Sequence, residues 1–193
     1  MNEQFTTIAS GSCTILRDIL ASDVDFFLAI QTSGQWRNYD APWEGVQDSL
    51  TPQEERDFRE KFLAHLADEK PVPRKSAVVA TLEGKPIGNV NRYTQHVHDK
   101  AWFVGISIFD DEYLDRGLGT EALRLWIDYL FANSEVHRIG LDTWSFNPRM
   151  MRVAHKLGFV YEGAQREMQL WQGSWLDLVH FGMLRTEWEA LRG

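Results

Sequence analysis

The 193 residues carry 44% hydrophobic and 25% charged side chains, the balance of a globular domain large enough to bury a core unaided, and they read as one domain over 1–193. The 20 Lys and Arg face 28 Asp and Glu for a net charge of −8, which argues against nonspecific nucleic-acid binding and suits cationic partners. The single cysteine, Cys13, excludes an internal disulfide framework, and with neither a signal-peptide pattern nor an apolar run of membrane-spanning length the expected place is the cytoplasm, away from membranes.

Thr14 to Ile19 reads as a first strand. Ser22 stands where it can cap a helix through Ile30, with Phe26, Phe27 and Ile30 on its apolar side. The stretch from Thr32 to Leu50 is polar, holds Trp36, Tyr39 and Trp43, and reads as a loop. Thr51-Pro52-Gln53-Glu54 is a capping box with proline in the first turn, and the helix it starts packs Phe58, Phe62 and Leu66. Two prolines between Lys70 and Lys75 end that helix. Strands follow over Ser76 to Leu82 and Pro86 to Tyr93, joined by a turn at Glu83-Gly84-Lys85.

Trp102 to Phe109 is apolar and β-prone, and Leu123, Trp126, Ile127 and Leu130 recur with helical spacing. Between them lies Leu114-Asp-Arg-Gly-Leu-Gly-Thr-Glu-Ala122. Gly117 and Gly119 let this loop bend tightly and expose its N–H groups, and the helix start adds unpaired N–H groups and the positive dipole end. Such parts make an anion cradle suited to phosphates. Arg138 to Trp144 reads as the next strand, followed by Asn147, a short helix ending at Lys156-Leu157-Gly158-Phe159, strands over Val160 to Leu170 and Leu176 to Leu184 about a turn at Gln172-Gly173-Ser174, and a closing helix over Thr186 to Leu191. Antiparallel strands followed by one βαβ unit indicate an α+β domain with a mixed central β-sheet flanked by helices.

The run EYLDRGLGTEAL, then Asn147, KLGF-x-YEG, Arg166, Trp175-x-Asp177 and Glu187-Trp188 resembles the GNAT superfamily of N-acetyltransferases and, within it, the Rim-type branch. The resemblance implies the GNAT acyl-CoA N-acyltransferase fold, with a V-shaped split between two central strands. It also implies transfer of an acetyl group from acetyl-CoA, without a metal, to a primary amine by direct attack in a ternary complex. The acceptor classes it brings are a protein N-terminus, a polyamine or a small-molecule amine. The pyrophosphate maps onto Arg116, Gly117, Leu118, Gly119 and Thr120, the pantetheine arm onto the backbone of Ile106, Ser107 and Ile108, and Asn147 onto a contact with that arm or a helix cap.

Two positions depart from the family pattern. Leu114 fills the polar slot that opens the phosphate loop. Ala154, counted back from Gly158-Phe159, fills the slot where many members keep a tyrosine as proton donor, and the adjacent His155 lies roughly 100° round the helix. For a base, the acidic run Asp110-Asp111-Glu112 ends the Trp102 strand; alternation selects Glu112 and Asp110 as the pair on one side. His96 and His98 precede that strand with a suitable ordinary pKa, and His-x-His with Asp99 lacks the further ligands a metal needs. Trp36, Tyr39, Trp43 and His96 are the acceptor-pocket candidates, aromatic walls being suited to ammonium groups. Trp171 and Trp175 fit core or homodimer contact. Two other readings stand beside the enzyme: a catalytically idle acyl-CoA sensor, and a dinucleotide-dependent oxidoreductase, since Gly117-x-Gly119-x-x-Ala122 with Asp142 further on loosely matches that fingerprint.

Overall fold

The computed structural model describes residues 5–43, 48–68, 70–95 and 100–192. Two short strands come first, β1 (Thr7–Ser10) and β2 (Ile15–Arg17), then α1 (Val24–Ala29) and α2 (Pro52–His65). β3 (Ser76–Ala80), β4 (Pro86–Tyr93) and β5 (Ala101–Ile108) lead to α3 (Leu118–Ala132), β6 (Arg138–Trp144) and α4 (Pro148–Lys156). The long hairpin β7 (Val160–Trp171) and β8 (Ser174–Leu184) and the closing α5 (Arg185–Ala190) complete the chain. All eight strands form one sheet in the order β1-β2-β3-β4-β5-β6-β8-β7. Among the described residues only β5 and β6 pair in parallel; the other six pairings are antiparallel. That topology is α+β with a mixed sheet, and it leaves no doubly wound sheet for the dinucleotide reading.

The helices lie where their apolar stripes dictate. α3 buries Ala122, Leu123, Trp126, Ile127, Leu130 and Phe131 against Val79, Val90, Val104, Ile139 and Phe181, the main core. On the opposite face α1 brings Phe27 toward Ile15, Val78 and Ala80, and Phe27 meets Phe62 of α2 at 5.8 Å. The capping box of α2 forms as its sequence dictates, Glu54 N–H donating to Thr51 Oγ1 and Thr51 N–H to Glu54 Oε2. The first helix differs from expectation. It opens as a 3-10 turn over Ala21–Asp23, so Ser22 lies inside that turn, and Asp23 accepts the Leu20 N–H at 2.8 Å. Asp23 is buried because it also takes a bidentate pair from Arg17. The β7–β8 turn uses Gln172 and Gly173, both at positive φ (47° and 79°), the geometry that joins strands across two residues.

The turn between β1 and β2 is tied to the first turn of α3. Glu121 Oε1 accepts from Ser12 N and Oγ, and Oε2 from Cys13 N, Thr14 N and Thr14 Oγ1, all at 2.6–2.9 Å. Burial by itself raises this carboxyl; the hydrogen bonds from Ser12, Thr14 and Cys13 outweigh it and hold the pKa at about 2.

Candidate active site

β5 and β6 run together for three register pairs, Ala101 with Arg138, Trp102 with Ile139 and Phe103 with Gly140, and then separate. Beyond that point β5 keeps β4 on one edge, through Val104 to Ile108, and β6 keeps β8 on its far edge, through Leu141 to Trp144. The facing edges are left apart. Gly140 sits at the fork: a Cβ there would lie 2.6 Å from the Phe103 ring. The opening is a cleft of about 650 Å³. Its walls include the edge from Val104 to Ile108, the loop and helix start from Gly117 to Thr120, the β6 edge from Leu141 to Trp144, and Asn147 to Val153 of α4 in part.

One end of the cleft is built for anions. Gly117 precedes α3 at φ +82°, a conformation only glycine adopts cheaply. The first helical bond runs from Glu121 N–H to Gly117 O, so the N–H groups of Leu118, Gly119 and Thr120 have no carbonyl within the helix. Gly119 lets α3 approach β5; a Cβ there would reach Ile108 Cγ1 at 3.4 Å. Arg149, Arg152 and Lys156 of α4 line the same cleft. An unpaired strand edge beside a bare helix N-terminus and three cations fits a long ligand with amides at one end and phosphates at the other, the make-up of acyl-CoA.

Across the mouth, Arg149 reaches Asp115 of the loop at 2.8 Å and lies over the Tyr39 ring at 5.0 Å. Asn147 caps α4, accepting the Met150 N–H at 3.0 Å, and also lines the cleft, its Nδ2 3.5 Å from Tyr39 O. Both roles weighed for it are therefore compatible. Trp36 and Tyr39 line the cleft.

Other candidates stand elsewhere. Asp110 and Glu112 are not on the cleft wall: Asp110 accepts the Glu112 N–H, caps a 3-10 turn over Asp111–Tyr113 and pairs with Lys85 at 3.0 Å. Turn formation, which strand alternation overlooks, directs them away. Arg116 is exposed and lies over the Tyr113 ring rather than along the cleft. Trp43 stands one layer back, edge-on to Trp144 at 4.6 Å and to Trp171 at 6.2 Å, so it supports a wall residue. Ala154 is fully buried in the core; the cleft-facing positions of α4 are Arg149, Met150, Arg152, Val153 and Lys156. His155 packs edge-on against Phe181. Trp175 is 58% exposed. His96, His98 and Asp99 lie outside the described residues. Among the described residues no group of three His, Cys, Asp or Glu could hold a metal ion, and no helix is long and apolar enough to cross a membrane.

The cleft also contains groups that the acetyltransferase resemblance does not assign. Asp142, Tyr93, Gln95 and Asp40 line it. Asp142 Oδ1 is 2.8 Å from His180 Nδ1, its cross-strand partner, and Oδ2 accepts from Gln95 Nε2 at 3.1 Å. Burial raises the Tyr93 phenol, and the charges of Asp142 and Asp40 add to that against a hydrogen bond from Gln95. A signal was present: Asp142 is an acidic residue inside the strand RIGLDTW, and His180 interrupts the apolar LVHF stretch.

Known proteins share this architecture. The spermidine N-acetyltransferase from Vibrio cholerae, solved in complex with CoA and spermine, superimposes with a TM-score of 0.71 at 20% identity over 93% of this chain and 99% of that one. The putative ribosomal N-acetyltransferase YdaF of Bacillus subtilis is 32% identical over 79 residues, 41% of this chain and 43% of the relative. The aminoglycoside N(6')-acetyltransferase type 1 of Klebsiella pneumoniae is 30% identical over 118 residues, 55% of this chain and 57% of the relative. The chain thus spans about half the length of the curated relatives it matches. The sequence model of the acetyltransferase (GNAT) domain matches residues 14–160. With the split sheet and the glycine-led helix start inside that span, the chain belongs to the GNAT acetyltransferase family.

Proposed function

We propose that this chain is an acetyl-CoA-dependent N-acetyltransferase of the Rim-type branch, working without a metal in the cytoplasm. It moves an acetyl group to a primary amine by direct attack in a ternary complex. The observation that carries the reading is the unpaired β5 edge ending beside the bare N-terminus of α3. Bound acetyl-CoA supplies the thioester: the C–N bond forms as the C–S bond breaks, and the amine's proton ends on the departing thiol. The chain holds the donor through the backbone of Ile106, Ser107 and Ile108, the N–H groups of Leu118, Gly119 and Thr120 beside Gly117, and the Asn147 amide. Arg149, Arg152 and Lys156 add charge along the phosphates. Arg116, exposed at the loop, adds a further charge beside the phosphates. Trp36 and Tyr39 wall the acceptor side. The acceptor is a small-molecule amine or a protein N-terminus, with no nucleic acid or membrane as partner; a second copy, where one pairs, meets the exposed Met168, Leu170 and Trp175 of the β7–β8 hairpin.

The test is a thiol-release assay with acetyl-CoA and amines from each class, paired with thermal melts. Acetyl-CoA at ~100 times its Kd adds about 2.7 kcal/mol by mass action. An unchanged Tm with saturating acetyl-CoA, while NADH raises it, overturns the reading. Binding without turnover of any amine leaves the chain as an acyl-CoA sensor.

A further inference from the structure

Asp142 stands two residues past the fork, on the side of β6 opposite the α3 core. Alternation requires this: Ile139 and Leu141 face that core, and so do Val179 and Phe181 on the neighbouring β8. Asp142 and His180 therefore project from the other face, directly opposite each other. The carboxylate is 11% exposed, yet it opens on the cleft. His180 Nδ1 lies 2.8 Å from one of its oxygens and Gln95 Nε2 3.1 Å from the other.

His180 Nδ1 and Gln95 Nε2 each engage one oxygen of the Asp142 carboxylate, so the side chain is held from both sides. His180 Nε2 is buried and has no hydrogen-bond partner among the described residues. Tyr93 and Asp40 border the same space.

We infer that Asp142 is the seat of the acceptor's ammonium group, with His180 and Gln95 as positioning residues that fix its rotamer. The inference rests on the N-acetyltransferase reading. It sets a locked carboxylate on β6 apart from the helix start of α3 that lines the same cleft. The Tyr93 ring, stacked with Phe103 at 5.8 Å, and Trp144 supply the flanking apolar surface.

The experiment uses the full chain with acetyl-CoA and three acceptors: spermidine, kanamycin and a peptide with a free N-terminal alanine. The best acceptor is then compared with its hydroxyl analogue as a competitive inhibitor. Asp142→Asn is expected to raise the amine's KM tenfold or more while acetyl-CoA affinity and the hydroxyl analogue's inhibition constant stay within twofold. His180→Phe removes the Nδ1 donor and gives a smaller rise in the same KM. His180→Asn, which restores an N–H donor near that position, recovers it; a merely structural histidine is not rescued in this way. An amine KM within twofold of wild type in a folded Asp142→Asn protein overturns the inference and leaves the acetyltransferase reading standing. Equal losses for amine and hydroxyl analogue also overturn it. A wild-type protein that binds acetyl-CoA but acetylates none of the three amines counts against it too, whereas absent acetyl-CoA binding refutes the underlying reading.

Discussion

Replacing Glu121 with glutamine removes the negative charge that five donors of Ser12, Cys13 and Thr14 converge upon. A glutamine offers one acceptor oxygen and turns its NH2 toward backbone N–H groups, so two or three of those donors lose their partner. The magnitude follows from the carboxyl's titration. Its ordinary pKa of 4.5 drops to about 2 in the folded chain, and with 1.4 kcal/mol per pKa unit the ionised group contributes about 3 kcal/mol at neutral pH. Because the folded pKa is the lower one, that stability is present above pH 4.5 and is lost as the pH falls toward 2. Urea titrations of wild type and Glu121→Gln at several pH values read both aspects. The gap should be about 3 kcal/mol at pH 7 and shrink to about 1 kcal/mol by pH 3. In thermal melts at pH 7 it corresponds to a Tm lower by about 6–12 °C for a chain of this size. Equal stability at pH 7, or a gap that does not change with pH, refutes the reasoning.

Gly119→Val should fold, since a Cβ there meets Ile108 at ordinary contact distance, but its added methyls crowd the donor end, and acetyl-CoA affinity measured by calorimetry should fall about tenfold or more. Arg149→Ala breaks the Asp115 bridge at the cleft mouth; this pair is exposed enough that stability changes by less than about 1 kcal/mol, while the KM for acetyl-CoA rises. Asp110→Asn and Glu112→Gln should keep turnover within about twofold, and a loss near 10²-fold in either would return the acidic turn to the chemistry.

The parts of the fold legible in sequence are those set by local chemistry. The Thr51 capping box, the glycine pair at the start of α3, the Gln172-Gly173 turn and the 3.6-residue stripe from Leu123 to Leu130 each act within a few residues. The loop and helix start that line one end of the cleft are legible for the same reason. The pairing on β6 and β8 is not. Asp142 and His180 meet only because β6 pairs with β8, 38 residues away in the chain, and nothing in either strand's own pattern specifies that pairing. Asp110 and Glu112 misled because strand alternation was extended past Ile108, where the backbone turns.

The three-residue seam between β5 and β6 also has a mechanical meaning. It joins a plate of five strands, β1 to β5, to a plate of three, β6 to β8, and the rest of the boundary is gap. A guest lying in the gap acts as a splint, pinning each plate to the other. Amide exchange at Ala101–Phe103 and along Val104–Ile108 should therefore slow together when the donor binds, as a hinge stops flexing once the hollow beside it is filled. The same filling links catalysis to durability: a substitution that loosens the seam, such as Gly140→Val against the Phe103 ring, weakens the empty protein more than the loaded one.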